Sequence, residues 1–123
     1  MLPSETQELR EIVVDASRHV FPDLGLPEDI VAAPGRKESP DGQLASFMGF
    51  TGRLLRGTLT IVAPLSFIAK TYPLPAKHGF EWELAMYDWS GEMANRVLGR
   101  IKNQLASRGV EVEPSTPRVM HWS

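Results

Sequence analysis

Glu92 and Asn95 are the residues of this chain whose types and spacing best suit chemistry. Three positions apart, they become neighbours on adjacent turns of a helix, with Cβ atoms about 5–6 Å apart. A carboxylate can pair with a lysine or accept a proton. A carboxamide both donates and accepts, and so can hold a water in a fixed direction. Neither is a strong nucleophile in this setting, so the pair suits the positioning of water for hydrolysis better than covalent catalysis. Asp88, one turn before Glu92, is a supporting position. Gly99, one turn after Asn95, puts no side chain on that line and costs about 1 kcal/mol of helix propensity against Ala. Such a gap fits a place where something must come close.

Other constellations are missing from the sequence. Without cysteine there is no disulfide, no thiolate zinc site and no cysteine nucleophile. No Gly-rich phosphate loop, His-Glu-x-x-His pair or G-x-S-x-G elbow occurs. His19, His78 and His121 lie in three separate segments, so a metal site would need the fold to collect them. The formal net charge is −2 with both signs mixed along the chain, which disfavours nucleic-acid binding. No apolar run approaches the roughly 18 residues of a spanning helix. Met1 to Ser17 carries acidic residues where a secretory signal would have its apolar core. The expectation is a soluble cytoplasmic protein of one domain, residues 1–123, with no membrane partner and no nucleic-acid partner.

The element that must position the pair is Ala85 to Ser107. At about 100° per residue, Asp88, Glu92, Asn95, Gly99 and Lys102 fall within roughly 80° of arc. Met86, Met93, Ala94, Val97, Ile101 and Leu105 form the opposite, apolar face. The spacing predicts a helix starting between Phe80 and Asp88, running to Ser107 and capped by Gly109. Upstream, Ser4 to Gln7 reads as a capping box opening a helix with Leu9, Ile12, Val13, Ala16 and Val20 on one face, closed by Phe21-Pro22. Asp29 to Ala33 is a short strand candidate and Arg36 to Asp41 a turn. Gln43 to Phe50, apolar or small on both faces, reads as a strand inside a sheet, and Thr58 to Ala63 as its antiparallel hairpin partner. A short helix through Phe67, Ile68 and Ala69 ends before Tyr72-Pro73. Val110 to Glu113 reads as another strand, Pro114 and Pro117 delimit a turn before Arg118 to Trp122, and His121 and Trp122 sit almost at the chain end, where fraying is common. The fold class is α+β, an antiparallel sheet packed against helices.

Asp88-x-x-x-Glu92-x-x-Asn95-x-x-x-Gly99, preceded by the Gly-punctuated strand pair Phe50 to Ala63 and followed by a strand and prolines, resembles the CheX/CheC family of chemotaxis phosphatases. The match spans roughly Phe50 to Pro117, and the single Glu-x-x-Asn is of the one-site CheX type. The resemblance implies a CheC-like fold and removal of the phosphoryl group from the aspartate of a CheY-like response regulator. It implies that Glu92 grips the regulator through its active-site lysine and that Asn95 orients the attacking water. Asp88 and Gly99 support them. Magnesium would belong to the regulator, and the protein would need no cofactor of its own. Arg96 and Arg100 place positive charge beside the motif, to meet an acidic regulator or to pair with nearby carboxylates. The family's sheet would be expected to continue past Ser123, so either this sheet is shorter or a second copy covers its edge as a homodimer. Two alternatives stand beside the phosphatase: a non-catalytic response-regulator or signalling-protein binding module of the same fold, and a structural subunit whose polar stripe is merely solvated.

Overall fold

The structure, a computed structural model, describes the backbone of residues 3–23 and 42–122 and the side chains of 7–21 and 42–122. The strand and turn expected over 29–41 lie outside the described residues. Among the described residues there are three helices and a four-stranded antiparallel sheet: α1 (Pro3–Asp23), β1 (Gln43–Thr51), β2 (Gly57–Pro64), α2 (Leu65–Thr71), α3 (Gly79–Ala106), β3 (Glu113–Pro114) and β4 (Arg118–Trp122). The α+β class expected from the sequence is the one observed.

β1 is the centre of the sheet. On one side it pairs with β2 in the register Phe50 to Gly57 through Gln43 to Pro64. On the other it meets two short strands end to end, β4 along Gln43 to Phe47 and β3 at Phe50 and Thr51. β1 is buried along most of its length, the environment that suits QLASFMGF, apolar or small on both faces. Leu44, Ser46 and Met48 point to the helices, with Ala63, Ile61 and Leu59 opposite them on β2. The helices lie on this face. α3 crosses β1, and α1 packs beside α3, with its Phe21 meeting Phe67 of α2 edge to face at 5.5 Å. Among the described residues no strand pairs with the outer edge of β2 or of β4. Both are edges at which a second copy could add.

The long helix ends where expected. The Gly109 N–H donates to the Ala106 carbonyl at 3.0 Å and the Val110 N–H to the Leu105 carbonyl at 2.9 Å. This is the Schellman pattern, with Gly109 supplying the left-handed turn at φ +79°.

Four expectations are corrected. α1 begins at Pro3, one residue before the expected Ser4 cap, because a proline in the first turn forgoes only a donor that has no intrahelical partner. It runs on to Asp23, since burial of Phe21 against Phe67 outweighs the bias against helix before Pro22. Val110 to Glu113 is not a strand along its length: the Val110 N–H closes the helix, Val112 is buried in the core, and pairing starts only at Glu113. His121 and Trp122 do not fray but pair with Leu44 and Gln43 as the end of β4. Ser115 ties the chain to β1 first, its N–H donating to the Gly49 carbonyl at 2.8 Å and its Oγ accepting from the Gly49 N–H at 2.9 Å, and β4 follows in register.

The turn between β1 and β2 meets the chain after α3 backbone to backbone. A Cβ at Gly52 would run into the carbonyl oxygen of Glu111. Neither partner is a flexible side-chain end, so Gly52→Ala should destabilise the protein by about 1–3 kcal/mol, the usual cost of forced overpacking. Urea unfolding would read this as a lower midpoint with an unchanged slope.

Candidate functional site

α3 presents the candidate residues because its other side is fixed to the sheet. The Ser46 and Ser90 hydroxyls share a buried hydrogen bond of 2.7 Å. Beside it, a Cβ at Gly91 would already touch Pro117 and Val119 at 3.4 and 3.5 Å, so the helix lies close against the β3–β4 corner. Met93, Ala94, Val97, Leu98 and Ile101 complete the buried face. Residues opposite it must face outward.

The structure brings the four candidates onto one outward line. Asp88, Glu92 and Asn95 are exposed, and Gly99 is partly exposed with open space around the position of a Cβ. Asn95 makes no hydrogen bond to any described residue, so its amide nitrogen and oxygen are both available. Lys102, at the end of the line, reaches Glu113 at 3.7 Å.

Glu92 is not free in the same way. Arg96 Nε donates to its Oε1 at 3.3 Å, with about half of each side chain exposed. The Arg96 guanidinium lies 5.1 Å from the centre of the Trp89 ring, a cation–π distance. Trp89 is itself anchored: its indole N–H donates to Thr71 Oγ1 of α2 at 2.9 Å, and the Thr71 hydroxyl lies 3.0 Å from the Phe67 carbonyl. A chain of contacts therefore runs from buried Thr71 through Trp89 and Arg96 to the exposed carboxylate. The sequence reading named Arg96 as nearby charge but missed Trp89 and Thr71. The signal was legible in part, because 89, 92 and 96 stand at i, i+3 and i+7, along one flank of a helix.

The site is an open surface and not a pocket. A 670 Å³ groove beside Leu54, Leu55 and Arg108 and a 430 Å³ cleft beside Trp82 and Tyr87 contain none of the four candidates. A shallow groove of 410 Å³ between Val20 and α3 touches Gly99 and is lined by Arg96, Arg100 and Lys102. Among the described residues, no three acidic or histidine side chains gather as a metal site, and no helix is long and apolar enough to cross a membrane. An amide and a carboxylate on an open helix can orient a water and hold a cation. The reacting group must then be brought by another molecule.

No family model and no curated protein sequence matches this chain. Its fold does have solved counterparts. A CheC-like superfamily protein from Shewanella sp. PV-4 superposes with a TM-score of 0.67 at 23% identity, over 92% of this chain and 75% of that one. The chemotaxis protein CheX from Desulfovibrio desulfuricans gives 0.70 at 19% identity, over 94% and 79%. A chain of the CheX–CheY–BeF3–Mg2+ complex from Borrelia burgdorferi gives 0.69 at 21% identity, over 89% and 74%. This chain has the fold of the CheX/CheC-like chemotaxis proteins.

The buried anchor and the exposed amide should respond differently to truncation. Thr71→Val orphans the buried indole N–H of Trp89 and should cost about 1–3 kcal/mol. Asn95→Ala removes an outward side chain without a partner and should stay within about 0.5 kcal/mol of the parent. Paired urea titrations would check both.

Proposed function

We propose that this protein hydrolyses the phospho-aspartate of a CheY-like response regulator, with Glu92 and Asn95 as its catalytic side chains and Asp88 and Gly99 as supporting positions. The observation that carries this reading is the pairing, on one outward helix face, of a half-exposed carboxylate with a carboxamide that has no partner in the described chain. The CheX/CheC-like fold supports it, as does the existence of a solved CheX–CheY–BeF3–Mg2+ complex in that fold.

Glu92 takes the ammonium of the regulator's active-site lysine, which fixes α3 over the phosphorylated site. Asn95 enters that site, and its carboxamide oxygen accepts a hydrogen bond from the attacking water. The water oxygen bonds to phosphorus, the bond from phosphorus to the aspartate oxygen breaks with its electron pair left on the carboxylate, and both water protons leave with the phosphate. Magnesium is bound by the regulator, where it offsets the phosphate charge. The protein's own contribution is orientation and electrostatics, which dominate phosphoryl transfer generally. Arg100, exposed and without an ion pair among the described residues, adds attraction for an acidic regulator surface.

The test is the lifetime of the phosphoryl group on a purified CheY-like regulator. The parent protein should shorten it, and Asn95→Ala should abolish most of that shortening, since losing one positioned catalytic group costs about 10²-fold or more. Glu92→Ala should weaken the complex. If Glu92→Ala weakens the complex while Asn95→Ala leaves the lifetime unchanged, the protein is a binding module without hydrolysis.

Gly99 gives a second prediction with opposite signs. An alanine there meets nothing among the described residues, so Gly99→Ala should raise stability by up to about 1 kcal/mol. The same methyl should weaken regulator binding, because it stands on the surface the partner must approach. Unfolding midpoints and titration calorimetry together would check the pair of effects.

A further inference from the structure

Exposed ion pairs one turn apart on a helix usually contribute little, because two long side chains must be ordered to make them. The Glu92–Arg96 pair differs in that one member is already held. The Arg96 guanidinium lies over the Trp89 ring at 5.1 Å, and Trp89 cannot swing because its indole N–H is bonded to buried Thr71 at 2.9 Å. Much of the ordering of Arg96 is therefore done from below, by a group that belongs to the core. Arginine suits this place: its planar guanidinium stacks on a ring face and still points N–H groups outward, which an ammonium does not do equally well.

The contact on Glu92 is also one-sided. Arg96 Nε donates to Oε1 alone at 3.3 Å, and a carboxylate has acceptor sites on both oxygens. Among the described residues Oε2 has no partner, which leaves it open to a second cation. A free glutamate on a helix surface would scatter over several rotamers and would lose that freedom on binding. Held by Arg96, it presents one oxygen in a fixed direction.

We infer that Arg96, seated on Trp89, is a positioning residue that pre-orients the Glu92 carboxylate to receive the lysine ammonium of a partner protein. The inference rests on the proposed regulator binding and adds to it the device that aims the gripping residue. Arg96 acts through Glu92 and touches no reacting atom, so its effect falls on capture and not on the hydrolytic step. Asn95, which carries the water, makes no hydrogen bond to Arg96 or to any other described residue.

The experiment compares the parent, Arg96→Ala, Arg96→Lys, Glu92→Gln and the Arg96→Ala/Glu92→Gln double variant, with the phosphorylated regulator as substrate. Arg96→Ala should raise KM about three- to tenfold and leave kcat unchanged, with Arg96→Lys in between. In the Glu92→Gln background, Arg96→Ala should add nothing, because its only route is gone. Tighter capture by Arg96→Ala would make Arg96 a competitor of the incoming lysine and overturn the inference. So would a fall in kcat, or an equal loss in both backgrounds. A regulator-free measurement separates this failure from failure of the functional reading. Side-chain scalar couplings of the free protein should give one dominant χ1 rotamer for Glu92 in the parent and averaging in Arg96→Ala. Averaging already in the parent overturns the inference even if the regulator binds. A parent that orders Glu92 but engages no regulator overturns the inference together with the functional reading on which it rests.

Discussion

The rotation of α3 about its own axis decides what this molecule shows to a partner, and the buried Ser46–Ser90 hydrogen bond sets that rotation. Relative to Ser90, Asp88 and Glu92 stand about 160° around the helix, Asn95 about 140° and Gly99 about 180°. With Ser90 pinned to the central strand, these four residues can only face away from the sheet. Gly91 and Ala94 add to this by keeping the helix close, since neither carries a side chain that would lift it off β1 and the β3–β4 corner. One polar contact inside an otherwise apolar layer is thus satisfied on both sides and specifies an orientation that packing alone would leave looser.

The flank of the same helix carries the second part of the architecture. α2 exists as a short turn between Pro64 and Pro73, ending at Tyr72, whose extended backbone is the one a residue before proline prefers. That brief helix places Thr71 beneath Trp89, and so links the core to the Arg96–Glu92 pair on the surface. The outward face is therefore uneven in its support from the rest of the fold. Glu92 is tethered to the interior through three contacts, whereas Asn95 is free to reach. That division suits a surface on which one residue grips and another enters a partner's site.

The parts legible in the sequence were those with a strong period or a strong breaker. The polar stripe of α3, its apolar face and the glycine at its end follow from 3.6-residue spacing and from Gly109, and β1 follows from being apolar on both faces. β4 was not legible, because five residues near a chain end carry little pattern, and what makes them a strand is non-local: Ser115 docking on Gly49 and the free edge of β1. The length of β3 was misjudged for a similar reason, since the helix claims the Val110 N–H before the sheet can. In the site, residue types on α3 could be read directly, but the support of Arg96 by Trp89 and Thr71 joins two helices and needed the fold. The cationic groove beside Gly99 likewise depends on Val20 of α1 lying opposite Arg96 and Arg100.

The central claim is that the outward line of α3 is the surface that meets a phosphorylated regulator. Chemical-shift mapping of the isotope-labelled protein tests it most directly, using a CheY-like regulator held in its active state by beryllofluoride and the unactivated regulator as control. The account predicts perturbations centred on Asp88, Glu92, Asn95 and Gly99 that are much weaker with the unactivated regulator. Perturbations centred instead on the outer sheet face around Phe47, Val62 and Met120, with the α3 line silent, would contradict it.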